Sequence, residues 1–190
     1  MSTIRDGNRA ALVVVDTQVG VVATAHNRDA VVGHIGELVA KARQGGVPVV
    51  WVQHEGEELV KGQPDWQIVP ELQPASGEIL VPKNFNSAFQ KTSLAELLAK
   101  ADVSHLMLCG AATNWCIRAT AFSALDRGYD LTLAGDAHST DSIELGPDRV
   151  IAAADIIAEL NVGLNWVEFP GVKNQVRKTA EIGFDQGSVM

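Results

Sequence analysis

The sequence predicts a three-layer α/β fold, a Rossmann-like, six-stranded parallel sheet with helices on both faces. Short apolar runs alternate along the chain with longer amphipathic runs, as in strands joined by crossover helices. Polar residues also follow the ends of these short runs, at the sheet edge where ligands bind in such folds. A length of 190 residues suits one domain, so we expect a single domain over residues 1–190 with its core at about residues 10–167.

The first half of the chain supplies three predicted strands and two predicted helices. The continuous, β-branched run at residues 10–15 predicts a central strand, because such runs are buried on both faces. Apolar residues on one face predict a helix over residues 29–44, which Gly45 and Gly46 end. The other predicted elements of this half are a strand at 47–52, a loop at 53–74 with one helical turn, a strand at 78–81 and a helix at 93–100. Because loops of this length are usually functional, we expect this one to determine specificity.

The second half begins with a strand that runs directly into a turn and a helix. Residues 105–109 predict the strand, residues 110–114 the tight turn and residues 115–125 the helix, with Thr113 or Asn114 as its N-cap. The remaining predicted elements are a strand at 130–134, a helix at 147–160, a sixth strand at 162–167 and a polar tail at 170–190. We expect that tail to pack on the body of the domain or on a neighbouring subunit.

Cys116 lies at the start of this predicted helix. There its sulfur would be close to unpaired backbone N–H groups and to the positive end of the helix dipole. Such a position is expected to lower the pKa of a thiol and make it a nucleophile, with amide donors available for a developing oxyanion. The alternative is that Cys116 is a small buried apolar residue, as most intracellular cysteines are.

Composition and charge exclude several classes of protein. A hydrophobic content of 46% with 20% charged residues is that of a globular protein and excludes a largely disordered chain. The net charge of -8 argues against a nucleic-acid surface, which needs a dense cationic patch. No apolar run approaches the length of a membrane span, and residues 1–9 carry no apolar signal core. We therefore expect a cytoplasmic protein that binds neither nucleic acid nor membrane.

Three titratable residues follow three of the predicted strands: Asp16 the first, Lys83 the third and Cys116 the fourth. Because the strands are parallel, their carboxyl ends share one edge of the sheet. Asp16 can accept the thiol proton, Lys83 can stabilise the thiolate and orient the acid, and Cys116 can attack a carbonyl carbon. Each residue alone also has a structural interpretation, as a turn-forming aspartate, a solvated lysine or a buried cysteine. Their joint placement favours the catalytic one.

At this point the chain resembles a known family, the isochorismatase-like cysteine hydrolases. The segments that carry the resemblance are VVVDTQ at 13–18, VPKNFNSAF at 81–89, GAATNWCIRATA at 110–121 and GYDLTLAGDAH at 128–138. The resemblance covers about residues 10–167. It implies the same six-stranded sheet, assembly as a homodimer or homotetramer, and hydrolysis of a small-molecule amide or ureide without a cofactor.

The resemblance also implies roles for individual residues. The family's catalytic aspartate, lysine and cysteine correspond to Asp16, Lys83 and Cys116. Its oxyanion hole corresponds to the backbone N–H groups of Ala112 and Cys116. Its non-proline cis peptide bond corresponds to the bond between Ala111 and Ala112. The resemblance therefore assigns a complete site to the edge of the sheet at which these strands end.

We expect no metal. Nicotinamidases of this family carry a metal-binding Asp-x-His motif after the second strand, and the matching segment here is Asp65-Trp66-Gln67. The adjacent pair His54-Glu55 is a weak metal signal on its own. A metal-assisted nicotinamidase is therefore disfavoured.

Aromatic and polar residues near the strand ends are candidates for the substrate pocket: Gln18, Trp51, His54, Phe85, Phe89, Trp115 and Phe122. Aromatic residues at such positions are more often core than pocket, and Trp115 and Phe85 are the best placed. His54 either binds a polar group of the substrate or caps its strand. Asp136 and His138, after the fifth strand, either support the site, cap a helix or have a role in the loop.

The leading hypothesis is a cysteine-dependent hydrolase that cleaves an amide or ureido C–N bond through a thioester. One alternative is an ester or ether hydrolase of isochorismatase type; true isochorismatases lack the nucleophilic cysteine, so Cys116 favours C–N cleavage. A second alternative is a non-catalytic binding member, against which the intact set of Asp16, Lys83 and Cys116 argues. A thiol redox protein is a third, and the spacing of Cys109 and Cys116 is not that of a Cys-x-x-Cys motif.

Overall fold

The computed structural model describes residues 2–184. Its central feature is a parallel sheet of six strands in the order β3-β2-β1-β4-β5-β8. The strands are β1 (Arg9–Val15), β2 (Val49–His54), β3 (Ile79–Lys83), β4 (Val103–Ala111), β5 (Asp130–Ser139) and β8 (Asn174–Arg177). A two-stranded antiparallel ribbon, β6 (Ile143–Glu144) and β7 (Val150–Ile151), follows β5. The predicted α/β class with a six-stranded parallel sheet is confirmed.

Helices cover both faces of the sheet. They are α1 (Val19–Val22), α2 (Arg28–Gln44), α3 (Leu94–Lys100), α4 (Arg118–Asp126) and α5 (Ala153–Trp166). Alternate residues of β1 enter two separate clusters, because successive side chains of a strand point to opposite faces. Val13 and Val15 pack with α3, α4 and α5, whereas Leu12 and Val14 pack with α2. Burial on both faces is why this strand reads as a continuous apolar run.

The predicted sixth strand at residues 162–167 is wrong, because those residues complete α5. Ile156, Leu160 and Leu164 are buried at four-residue spacing, so the apolar stripe of the helix continues to its end. The helix also begins at Ala153 rather than at residue 147, after the β6–β7 ribbon. The sixth strand is β8, within the predicted polar tail, and it pairs with β5 on the body of the domain. Residues 185–190 of that tail lie outside the described residues.

Strands β1, β2, β3 and β4 end at one edge of the sheet. β1 and β4 approach each other closely there, at Gly110. A Cβ atom at this position would lie 2.0 Å from the Val15 carbonyl oxygen. Gly110 also has a φ of +121°, a backbone angle that residues other than glycine rarely adopt. The glycine therefore lets the turn after β4 lie directly beside the end of β1. Within residues 2–184 no helix is long and apolar enough to cross a membrane.

Candidate active site

The ends of three strands bring Asp16, Lys83 and Cys116 into contact. Asp16 follows β1 with a φ of 49°, in the left-handed region, and Lys83 is the last residue of β3. The Lys83 ammonium nitrogen lies 2.6 Å from Asp16 Oδ2 and 3.1 Å from Cys116 Sγ. The Lys83 side chain is 0% exposed and that of Asp16 is 2% exposed. The three residues that the sequence singles out thus form one buried, hydrogen-bonded group.

A fourth residue joins this group. His54 is the last residue of β2 and is paired in register with Lys83 across the two strands. Its Nδ1 lies 3.1 Å from the Lys83 ammonium nitrogen. The ammonium is therefore surrounded by a carboxylate, a sulfur and an imidazole nitrogen.

Burial dominates the protonation of the two reacting side chains. Burial raises the pKa of Asp16, and the ammonium of Lys83 works against that rise. Burial raises the pKa of the Cys116 thiol to about 12; the Asp16 carboxylate adds to the rise, and Lys83 opposes it. The expectation that the start of the helix lowers the pKa of this thiol is therefore wrong. The site thus pairs a thiol of raised pKa with a carboxyl group whose basicity burial has increased.

The turn that carries Cys116 differs from the prediction. A π-helical turn, Thr113–Ile117, leads into α4, and Ala112 occupies the N-cap position in place of Thr113 or Asn114. The peptide bond between Ala111 and Ala112 is cis. The Ala112 carbonyl accepts hydrogen bonds from the N–H groups of Trp115 and Ile117, on either side of Cys116.

Residues at the end of β5 and just after it form hydrogen bonds with this turn. Thr113 Oγ1 lies 2.9 Å from His138 Nδ1, and His138 Nε2 lies 2.9 Å from the Asn161 side-chain oxygen on α5. The Thr140 hydroxyl donates to the Asn114 side-chain oxygen at 2.6 Å. His138 thus supports the turn that carries Cys116 and does not cap a helix. Sequence reasoning missed Asn161, since a polar residue in a half-buried helix carries no distinctive signal.

Asp136 does not cap the helix that follows β5. Its Oδ1 accepts hydrogen bonds from the Thr179 backbone N–H at 2.8 Å and from the Thr179 hydroxyl at 2.7 Å. It therefore fixes the segment after β8 to the sheet.

Two predicted pocket residues have other roles. Trp51 packs into the cluster on the α2 side of the sheet, and its indole N–H donates to Glu78 Oε2 at 2.7 Å. Cys116 belongs to the cluster on the opposite side of the sheet, together with Val50 and Val52. Trp51 alternates with these two valines along β2, so its side chain points away from Cys116. The Gln18 amide nitrogen donates to the backbone carbonyls of His54 and Trp66, and its oxygen accepts the His54 N–H. Gln18 is buried and joins the end of β2 to the loop that contains Trp66.

The remaining pocket candidates divide between the core and the surface. Phe89 is buried with its ring centroid 5.6 Å from that of Tyr129, and Phe122 packs against Phe169 with a centroid distance of 6.3 Å. Phe85 is 38% exposed and Trp115 is 58% exposed. The two that the sequence favours are therefore the two most exposed of these four residues.

Ligand atoms of Asp16, His54 and Cys116 lie within 4.8 Å of one another, a spacing at which three groups can hold a metal ion. Lys83, however, contacts all three residues with its ammonium group. A cation therefore already stands among these ligands, and a metal ion would have to displace a buried lysine. The donor set fits an ammonium better than a metal.

Comparisons with known proteins agree on one family. Residues 10–155 match the family model of the isochorismatase domain. The chain is 35% identical over 152 residues to a streptothricin hydrolase of Streptomyces noursei, covering 75% of this chain and 60% of that protein. It is 35% identical over 125 residues to the ureidoacrylate amidohydrolase RutB of Agrobacterium fabrum, covering 64% of this chain and 52% of that protein.

A solved structure shows the same architecture over nearly the whole chain. An isochorismatase from Pseudomonas putida KT2440 superposes with a TM-score of 0.81 at 29% identity, covering 93% of this chain and 92% of that one. The curated relatives are longer: the match spans 60% of one and 52% of the other.

Proposed function

The chain belongs to the isochorismatase family, and from that premise we propose that it is a cysteine-dependent hydrolase of a small amide or ureido C–N bond. The observation that carries the proposal is the contact of Asp16, Lys83 and Cys116 within one buried group at the ligand-binding edge of the sheet. A nucleophile, a proton acceptor and a fixed positive charge are together the elements that acyl transfer requires.

The first half of the reaction forms a thioester. Asp16 takes the proton from Cys116 as the sulfur attacks the substrate carbonyl, so that an S–C bond forms and the carbonyl oxygen becomes an oxyanion. The backbone N–H groups of Ala112 and Cys116 bind that oxyanion. Asp16 then returns the proton to the departing nitrogen, the C–N bond breaks, and the acyl group remains on sulfur.

The second half uses the same carboxylate as a base towards water. Asp16 takes a proton from a water molecule, which attacks the thioester and releases the acid. The proton then returns to the Cys116 sulfur. Raised basicity at Asp16 suits both steps, because a carboxylate of ordinary pKa accepts a thiol proton poorly.

Lys83 supplies the fixed charge. Its ammonium contacts both Asp16 and Cys116, so it compensates whichever of the two carries the negative charge as the proton moves between them. Because Lys83 is fully buried, this compensation is little screened by solvent.

The name of one relative supports C–N cleavage, and that of the other supports hydrolysis. RutB is named for the hydrolysis of ureidoacrylate at an amide-type bond, and the second relative is named for the hydrolysis of streptothricin. Ether cleavage of isochorismatase type is disfavoured, since those members lack the nucleophilic cysteine that Cys116 supplies here.

The test is a panel of small primary amides, secondary amides and ureides, followed by release of ammonia or amine. We expect the wild-type protein and Cys109→Ala to hydrolyse the same members of the panel. We expect Cys116→Ala, which serves as the blank, to hydrolyse none. Hydrolysis by Cys116→Ala at the wild-type rate would refute the proposal.

A further inference from the structure

We propose that His54 is a positioning residue of this site: its Nδ1 accepts one N–H of Lys83 and thereby directs the other two N–H groups to Asp16 and Cys116. This inference rests on the proposed function, because it concerns the same site. It assigns to His54 a role towards Lys83 in place of a strand cap.

The donor count of Lys83 carries the argument. An ammonium group has three N–H donors and no acceptor. Around Lys83 stand three acceptors, Asp16 Oδ2 at 2.6 Å, Cys116 Sγ at 3.1 Å and His54 Nδ1 at 3.1 Å. The Lys83 side chain is 0% exposed, so an N–H without one of these partners would be buried and unpaired. His54 completes the set.

Hydrogen bonds to a neighbouring side chain fix the backbone of His54. Both of its backbone polar groups bond to the buried Gln18 side chain: the N–H donates to Gln18 Oε1 at 2.8 Å, and the carbonyl accepts from Gln18 Nε2 at 3.0 Å. The register pairs His54 with Lys83 across β2 and β3, so the two side chains leave neighbouring backbone positions. Gln18 thereby positions the backbone of His54, whose side chain contacts Lys83.

The contact also fixes the tautomer of His54. Lysine can only donate, so Nδ1 is unprotonated and the ring proton is on Nε2. Burial and the charge of Lys83 lower the pKa of His54, and Asp16 works in the opposite direction. The charged or titratable groups around the ring are Lys83 on β3, Asp16 after β1 and Cys116 after β4. Glu55, the next residue of the chain, pairs with Lys61 at 3.0 Å. Protonation of Nδ1 would place two cations in contact and turn the ammonium away from the sulfur.

The experiment measures the rate at which iodoacetamide alkylates Cys116, which needs no substrate. His54→Leu removes the acceptor. His54→Asn restores one, because an asparagine side-chain oxygen can take the place of Nδ1, but asparagine does not titrate. Far-UV circular dichroism and thermal unfolding serve as folding controls for both variants, and free glutathione is the reference thiol.

We expect alkylation of His54→Leu to be about tenfold to a hundredfold slower at neutral pH, the range of a hydrogen bond to a charged group. His54→Asn should react at close to the wild-type rate. As the pH falls below 6.5, the wild-type rate should decline further than that of His54→Asn, in which no imidazole takes up a proton. Rescue together with the missing pH response is a result that a strand cap would not give.

Two results would overturn the inference: wild-type reactivity in His54→Leu, or a folded His54→Asn that is as slow as His54→Leu. If His54→Leu does not fold, the comparison of His54→Asn with the wild type decides alone. Failure of the proposed function looks different, since it appears in the wild type itself as a Cys116 that is alkylated no faster than Cys109 and whose rate is unaffected by Asp16→Asn.

Discussion

Cys109 lies in β4 and Cys116 in the π-helical turn that follows it; both are buried, yet they have different neighbours. Cys109 is 0% exposed inside β4, where the Val13 carbonyl is 3.8 Å from its sulfur and burial alone raises its pKa. Cys116 is 9% exposed and contacts the ammonium of Lys83, with Asp16 adjoining. Burial raises the pKa of both thiols. The proposed nucleophile therefore differs from the other cysteine in having a proton acceptor and a fixed cation beside its sulfur.

The difference between the two cysteines is tested most simply by removing each sulfur in turn. Cys116→Ala should lower kcat/KM on a substrate from the panel by a factor on the order of 10⁴ or more, because the covalent route is lost. Cys109→Ala should leave kcat/KM close to the wild-type value. A large loss in Cys109→Ala with an intact fold would contradict the assignment of the two cysteines.

Removing the proton acceptor should make Cys116 resemble Cys109. Asp16→Asn preserves shape and can still accept from Lys83, but it loses the base, so we expect kcat/KM to fall by a factor on the order of 10³. The matched control is Asp126→Asn, an exposed carboxylate at the end of α4, which should retain activity. Rates of both variants on the same substrate decide, and an Asp16→Asn enzyme as active as the control would be contrary to the mechanism.

Removing the cation tests the electrostatic half of the comparison. Lys83→Met leaves the Asp16 carboxylate buried without a counter-charge, which should destabilise the protein by about 3–5 kcal/mol at neutral pH. The pKa of Asp16 is already raised by burial and should rise further. A folded-state pKa above the unfolded value means that stability is fully present below the unfolded pKa and is lost as the pH rises through the folded pKa.

Thermal unfolding of Lys83→Met should therefore occur at progressively lower temperature as the pH is raised from about 5 to about 9, relative to the wild type. Lys91→Met, at an exposed lysine, is the control and should follow the wild type. Parallel curves for Lys83→Met and the wild type would show that Lys83 does not compensate a buried carboxylate.

The smallest effect is expected from the support of the turn. Thr113→Val removes the hydroxyl 2.9 Å from His138 Nδ1 and leaves that nitrogen buried without a partner. We expect a loss of about 1–3 kcal/mol in the free energy of unfolding, measured with urea, and a smaller fall in kcat/KM than for Asp16→Asn. Unchanged stability would place the turn's support elsewhere. Thr24→Val, at an exposed threonine, controls for the substitution.

The sequence predicts which residues lie at the ends of the apolar strands, but not every strand of the sheet or the contacts of each side chain. Asp16 and Lys83 follow short apolar runs, and the carboxyl ends of parallel strands must share an edge, so their contact with Cys116 can be inferred. β8 could not be found in this way. It is an edge strand paired on one side, which needs no apolar run, and its sequence, Asn174–Arg177, is mostly polar. The apolar residues at 162–167 suggested a strand until burial showed a helical stripe.

The acidity of Cys116 and the role of His54 depend on three-dimensional packing. A helix start suggests a lowered thiol pKa, and only the folded structure shows that burial and Asp16 outweigh it. His54 acquires its role from the register of β2 with β3, which pairs it with Lys83. Trp51 illustrates the converse, since the alternation along β2 turns it to the face away from Cys116.

The central claim is that Cys116 carries the acyl group during hydrolysis. The most direct measurement is peptide mass analysis of the protein quenched in acid while it turns over the best substrate of the panel. We expect a mass increase equal to the acyl group on the peptide that contains Cys116, with Cys109 unmodified, and no adduct in Cys116→Ala. An acyl group carried by any other residue, or turnover by Cys116→Ala, would contradict the claim.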